Sequence, residues 1–249
     1  MRFSHKIAKL ATGRAFSSAR SHLRRLIFGW RVPIKLEANA IIDTIDRKEF
    51  EQIHDRYAVD DPGEDWPKYL DLPRWIDINI RRIRDTELDL VTRKKRILDL
   101  GCGAGYFGYI AQLLGHEVVG LDLDDLPMFG ESTQMLGVRR VIWRVQPFVP
   151  LPDLGEKFDL VTAFMICFNN HKQPDLWGVP EWEFFLDDLS RHLTSRGRVW
   201  LELNSEYDGT FYTPELRQFF EHRGAKIENQ RVVFSSGLRA PALAAPTAR

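Results

Sequence analysis

Cysteine is nearly absent from this 249-residue chain: only Cys102 and Cys167 occur, each alone in an apolar context. A disulfide scaffold is excluded, and no CxxC or Cys/His spacing points to zinc, so no metal site is expected. A reducing, cytoplasmic setting fits that usage. Net charge is absent too, with 35 Lys plus Arg against 35 Asp plus Glu. No global field marks a nucleic-acid binder, and none is expected as a partner. Long hydrophobic runs are also missing. The longest nearly apolar stretch, Leu160 to Phe168, spans nine residues, about half of what a membrane-crossing helix requires. What is present is apolar bulk: 44% hydrophobic and 12% aromatic residues are enough for a sizeable core, and they exclude a disordered chain.

The zero net charge hides an asymmetry. Residues 1–35 carry nine basic groups and no acid, leaving 26 basic against 35 acidic groups in the remainder. Within that segment Leu23, Leu26, Ile27 and Trp30 follow the i, i+3, i+4, i+7 spacing of one helix face. A basic, partly amphipathic helical extension of this kind can lie on an anionic membrane surface. It lacks the apolar core of a secretory signal, although its Arg and Ser content resembles a transit peptide. A basic leader without a partner and a helix packed on its own domain are the other readings.

Beyond residue 36 helix and strand patterns alternate. Glu49 to Tyr57 and Pro73 to Leu88 read as helices of a lead-in region, 36–94. Five β-rich runs follow: Ile97 to Leu100, Val118 to Leu121, Val141 to Val145, Phe158 to Phe164 and Arg198 to Leu203. Helical stretches lie between them at Gly105 to Leu114 and Glu181 to Leu193. This predicts an α/β fold, a doubly wound and mainly parallel sheet that binds ligands at the carboxyl ends of its strands. A helix at Pro214 to Arg223 and a strand at Ala225 to Phe234 complete it. The Ala/Pro-rich residues 237–249 have too little to bury and read as a disordered tail.

The strongest chemical signal is Ile97-Leu-Asp-Leu-Gly-Cys-Gly-Ala-Gly-Tyr-Phe-Gly108, a strand entering a glycine turn and then a helix. Gly101, Gly103 and Gly105 allow close backbone approach to a ligand, and the following helix offers free N–H groups. Asp122 closes the next strand, where a carboxylate can accept both hydroxyls of a ribose. A dinucleotide site would want a glycine where Tyr106 stands. Asp99 would also meet a pyrophosphate with the wrong sign, so a ligand with a cationic group fits better.

At these residues the chain resembles the class I S-adenosylmethionine-dependent methyltransferases, whose first motif is acidic-x-Gly-x-Gly-x-Gly and whose second strand ends in an acid. The resemblance extends over about residues 95–236, through Phe158-Asp-Leu-Val161 and His192 to Glu202. It implies S-adenosylmethionine as cofactor. Asp99 and the backbone of Gly101, Cys102, Gly103 and Gly105 would hold the methionine moiety and Asp122 the ribose. Leu123 with the segment around Gln146 and Phe148 would hold the adenine, and Phe164 would line the same site. Gln146 stands where many relatives have an acid, and its amide oxygen can accept the same hydrogen bond. Ala225 to Phe234 is short for the family's sixth strand and antiparallel seventh, so a missing or fused seventh strand is expected. Cys102 reads as a small filler, since nothing nearby in sequence would lower its pKa.

The stretch from Phe164 to Pro180 is long for a strand-to-helix connection, and such loops at the carboxyl edge are usually functional. It carries neither the (Asp/Asn/Ser)-Pro-Pro-aromatic motif of nucleobase amino-methyltransferases nor the Pro-Cys of cytosine enzymes. A small-molecule or glycan-like acceptor, methylated at oxygen, is the favoured reading. His171 is the loop's near-neutral titrating group and the candidate general base; Trp177 and Trp182 read as packing groups. The alternatives are a non-catalytic subunit that binds the same cofactor and a NAD-dependent oxidoreductase.

Overall fold

In β1 (Arg96–Leu100), Leu98 and Leu100 face one side of a sheet while Ile97 and Asp99 face the other, and all four are buried. The computed structural model describes residues 35–58, 66–90, 93–169, 173–235 and 237–238. The amphipathic helix expected within residues 1–35 and the tail expected over 237–249 lie outside this set, except for Lys35, Gly237 and Leu238.

Among the described residues, seven strands form one sheet in the order β3-β2-β1-β4-β5-β7-β6. Beside β1 stand β2 (Glu117–Asp122) and β4 (Phe158–Ile166), then β3 (Arg139–Ile142) and β5 (Leu193–Leu203), all parallel. Both faces are covered by helices, which is why these strands read as nearly continuous apolar runs. One face takes α6 (Val179–His192) and α7 (Pro214–His222), which deliver Trp182, Phe185, Leu186, Leu189 and Phe220. The other takes α1 (Ala38–Ile42), α2 (Arg47–Tyr57), α3 (Leu72–Asp85), α4 (Tyr106–Leu113) and α5 (Pro127–Met135).

Helix α3 follows directly from its sequence. Asp71 accepts the Arg74 N–H at 3.2 Å as N-cap, Pro73 sits in the first turn, and Ile76, Ile80 and Ile83 recur at helical spacing and are buried. Each such side chain contributes about 1.5–3 kcal/mol by leaving water. At the other end the Thr86 hydroxyl donates to the Arg82 carbonyl.

Two expectations need correction, and one helix goes beyond those the sequence marks. The third strand lies at Arg139–Ile142 instead of Val141 to Val145, because its pairing with β2 runs from Val119↔Arg139 to Asp122↔Ile142 and then ends. Helix α5 has no counterpart in the sequence reading; its apolar pattern is interrupted by Gly130, and its sequence signal is the opening Pro127. The seventh strand is present and separate. Ala225 to Phe234 divides into β6 (Lys226–Glu228) and β7 (Arg231–Phe234), an antiparallel hairpin whose turn is made by left-handed Asn229 and Gln230. Two residues suffice for such a turn, so ten residues hold two strands, with β7 antiparallel to β5.

Candidate functional site

The glycine turn leaves the carboxyl end of β1, and the Gly101 N–H donates to the Leu121 carbonyl at 2.7 Å, tying it to β2. Gly101 has a φ of +66°, and a Cβ there would overlap Cγ2 of Ile166 at the end of β4. Only glycine fits both constraints. Gly105 opens α4 at a φ of +83°, where an added Cβ would lie 2.9 Å from Thr133 of α5. Cys102 is buried, and its sulfur covers Gly120 so closely that a Cβ there would sit 2.6 Å away. Burial pushes its thiol well above the ordinary range, which suits the filler role. Any contribution of Cys102 to a ligand is through its backbone.

Asp122 ends β2 with its carboxylate across the turn. One oxygen accepts the Gly103 N–H at 2.5 Å and the other the Leu123 N–H at 2.8 Å. Burial raises its pKa, and these two hydrogen bonds oppose that shift. Since a carboxylate offers about four lone-pair positions, acceptor capacity remains for two hydroxyls. The Leu123 carbonyl accepts from the Arg140 guanidinium, which also faces Asp124 at 3.6 Å.

Asp99 lies beneath the turn, 2% exposed, and accepts the Thr162 hydroxyl from β4 at 2.7 Å. Burial lifts its carboxyl to about 7, partly offset by Thr162 and by the Arg82 charge on α3. Arg82 is itself held over the Phe164 ring at 4.5 Å and lies 4.0 Å from Glu202. Phe164 is buried and packs edge-on against Phe107. Gln146 and Phe148 lie beyond β3 and are exposed; Phe148 has a φ of +59°, with its ring 5.8 Å from that of Phe184 on α6.

A small pocket lies beside this turn, between the loops that follow β4 and β5. Its apolar wall includes Phe168, Trp177 and Trp182, which pack within 4.6–5.5 Å of one another. Both tryptophans are buried, in line with a packing role. Its polar wall contains Asn169, Asn204 and Glu206, with the Asn169 amide 3.3 Å from a Glu206 oxygen. Ile166 lines the pocket and also meets Gly101, so one side chain separates it from the glycine turn.

The structure thus brings together Asp99, Gly101, Cys102, Gly103, Gly105, Asp122 and Leu123, and places Phe164 in the core behind Asp99. His171 lies outside the described residues. Arg82, Thr162, Asn204 and Glu206 do not stand out in the sequence; only the strand register Asp99↔Thr162 reveals the contact that Thr162 makes. Among the described residues no group of His, Cys, Asp and Glu could hold a metal ion, and no helix is long and apolar enough to cross a membrane.

Residues 97–197 match a family model described as a methyltransferase domain. No curated protein sequence matches the chain. Among solved structures, it is similar to an S-adenosylmethionine-bound amino pentose methyltransferase of Micromonospora echinaspora involved in calicheamicin biosynthesis. The identity is 31% over 51% of this chain and 50% of that one, with a TM-score of 0.37. It is also similar to a TehB-like S-adenosylmethionine-dependent methyltransferase of Corynebacterium glutamicum, at 20% identity over 66% of this chain and 99% of that one, with a TM-score of 0.43. The similarity thus spans about half the length of the first relative.

Proposed function

We propose that the chain is a class I S-adenosylmethionine-dependent methyltransferase that methylates a small-molecule or glycan-like acceptor at oxygen, a reading supported by the methyltransferase-domain match over residues 97–197. The observation that carries the site assignment is the Asp122 carboxylate clamped across the glycine turn by Gly103 and Leu123. A ribose-binding acid is needed there, and its remaining lone pairs suit a diol. In this reading the Gly101 to Gly105 backbone and Asp99 hold the methionine moiety, Asp99 acting from below the turn. Leu123, Gln146 and Phe148 flank the adenine, and Phe164 supports the site from the core.

S-adenosylmethionine supplies an electrophilic methyl group on a sulfonium. The residues of this chain have to orient an acceptor against it and keep water out, which is the work of positioning and desolvation. The aromatic wall of Phe168, Trp177 and Trp182 suits that exclusion. His171, in the loop after β4, takes the proton of a hydroxyl acceptor. The basic residues 1–35 add peripheral contact with an anionic membrane. That contact should weaken at high salt, where the screening length falls from about 10 Å at 0.1 M to 3 Å at 1 M.

The test is thermal stabilisation by S-adenosylmethionine and S-adenosylhomocysteine, with NADH as the contrasting ligand, followed by mass spectrometry of cell extract incubated with enzyme and methyl-labelled cofactor. A shift with the first two and a labelled product is expected. A shift with NADH alone rejects the reading, and binding without turnover marks a non-catalytic subunit. Vesicle co-sedimentation with and without residues 1–35 tests the membrane contact; an unchanged yield after deletion rejects it.

A further inference from the structure

Arg139 and Arg140 are neighbours on β3 with different surroundings: Arg139 is exposed, while the Arg140 side chain is only 7% exposed and reaches Gly130 of α5. Gly130 leaves the room for it, since an added Cβ there would lie 3.1 Å from Nη1. Taking a guanidinium out of water is costly. The Arg140 Nε–H adds to that cost, because it has no hydrogen-bond partner among the described residues. The ion pair with Asp124, at 3.6 Å to a side chain that is 68% exposed, offsets little of it. Fold stability therefore does not account for a charge at this position.

What the guanidinium touches is the corner where β2 ends. In the strand register Asp99, Gly120 and Arg140 form one row across β1, β2 and β3, and at Gly120 the place of a side chain is taken by the Cys102 sulfur. From that row Arg140 donates to the Leu123 carbonyl. The Leu123 N–H in turn donates to Asp122 at 2.8 Å, and the Gly103 N–H donates to the other carboxylate oxygen at 2.5 Å. Leu123 is thus held at both of its backbone polar groups, one by Arg140 and the other by Asp122. The charges facing Asp122 are Asp99 on β1 and Asp125 after β2, both of its own sign, and the cation Arg140 on β3. The Cys102 thiol beside them is kept protonated by burial. Burial and Asp125 push the Asp122 carboxyl up, while the two N–H groups and Arg140 oppose them.

We propose that Arg140 is a positioning residue of the cofactor site, which fixes the Asp122 and Leu123 corner and supplies the positive charge that keeps Asp122 an acceptor for both ribose hydroxyls. The proposal rests on the methyltransferase reading, which makes Asp122 the ribose acid. An ionised carboxylate accepts from two hydroxyls at once, whereas a protonated one gives up part of that capacity to its own hydrogen. Hydrogen bonds to the ionised form are also the stronger ones. Arg140 acts through Asp122 and Leu123 and not on the ligand, so its loss should be read in how binding depends on pH.

The probe is S-adenosylhomocysteine, and its affinity for the full chain is measured by isothermal titration from about pH 8.5 down to about pH 5.5, the range in which a raised carboxyl begins to protonate. Each result is expressed as the ratio of wild-type to variant affinity, so that titration of the ligand and of Asp99, common to both, cancels. Arg140→Met and Arg140→Gln remove the charge, the second keeping a donor for the Leu123 carbonyl, and Arg140→Lys keeps the charge. In both charge-free variants the ratio should grow by about threefold as pH falls across that range, because Asp122 protonates earlier without its cation. Arg140→Lys should hold the ratio level. If one charge-free variant fails to fold, the other gives the same reading. A residue with a merely structural role weakens binding equally at every pH, so a level ratio in the charge-free variants, or equal growth in Arg140→Lys, overturns the proposal. With the wild type binding the probe, that failure is confined to Arg140. A wild type that binds no S-adenosylhomocysteine at any pH rejects the methyltransferase reading, and the role of Arg140 with it.

Discussion

Ile166 occupies the position that a side chain on Gly101 would need, so the end of β4 and the turn after β1 are mutually exclusive in volume. Gly101→Ala should therefore cost about 1–2 kcal/mol from its left-handed backbone alone, with the overlap added. Adding Ile166→Ala should relieve the overlap and leave the backbone cost. The double variant, followed by urea unfolding, should be less destabilised than the sum of the singles by about 1 kcal/mol or more. Additive losses would contradict the contact.

Asp122 joins the ends of β1 and β2 and, in the proposed site, also receives the ribose. At a hundredfold excess over Kd a ligand stabilises the native chain by about 2.7 kcal/mol. Asp122→Ala should lose most of that with S-adenosylmethionine and S-adenosylhomocysteine alike. Differential scanning fluorimetry reads the loss directly, and a full shift in the variant would remove Asp122 from the binding site.

Burial lifts the Asp99 carboxyl from its ordinary value of 3.8 to about 7. Between those values the folded chain holds a proton that the unfolded chain has released. The associated stability is complete below about pH 4 and is lost as pH rises toward 7, at up to about 1.4 kcal/mol per pH unit. Relative to Asp99→Asn, whose amide does not titrate, the ligand-free wild type should weaken across that window. Parallel stability curves for the two would show that Arg82 and Thr162 keep Asp99 ionised throughout.

If His171 removes the proton of a hydroxyl acceptor, His171→Ala should lower kcat by about 10²–10⁴. Stabilisation by S-adenosylmethionine should be unchanged. The wild-type rate should fall below about pH 6.5 as the ring protonates. Once the acceptor is known, a variant with kcat close to wild type would leave positioning and desolvation as the account of catalysis.

The features legible in the sequence are those written in short, contiguous codes. The glycine turn, Asp99 and Asp122 are fixed by strand-turn-helix phase, and α3 by its cap, proline and isoleucine spacing. The β6 and β7 hairpin escaped because its turn is only Asn229 and Gln230, without the glycine that usually marks such a reversal. Helix α5 escaped because Gly130 interrupts a weak apolar pattern. Thr162 and Arg82 meet Asp99 from distant positions in the chain, and no local pattern records such a meeting. Glu206 stands in Asn204-Ser-Glu-Tyr-Asp-Gly209, a composition that reads as any solvated turn; the pocket emerges only once the two loops are folded side by side.

The hairpin at the end of the described chain also sets an order of events. Because β7 lies between β5 and β6, the exposed edge of β5 is sealed by Arg231 to Phe234. Val232 and Phe234 are fully buried, paired with Leu201 and Val199 of β5 and part of the same core cluster as Phe220. A nascent chain that has just released β5 from the ribosome therefore presents an unpaired strand flanked by apolar helices, the kind of edge that recruits other strands. Some thirty further residues, α7 and the two-residue turn among them, must emerge before that edge is closed. The domain is thus most vulnerable to misassembly in the last moments of its synthesis, and ending the chain before residue 231 would make that vulnerability permanent.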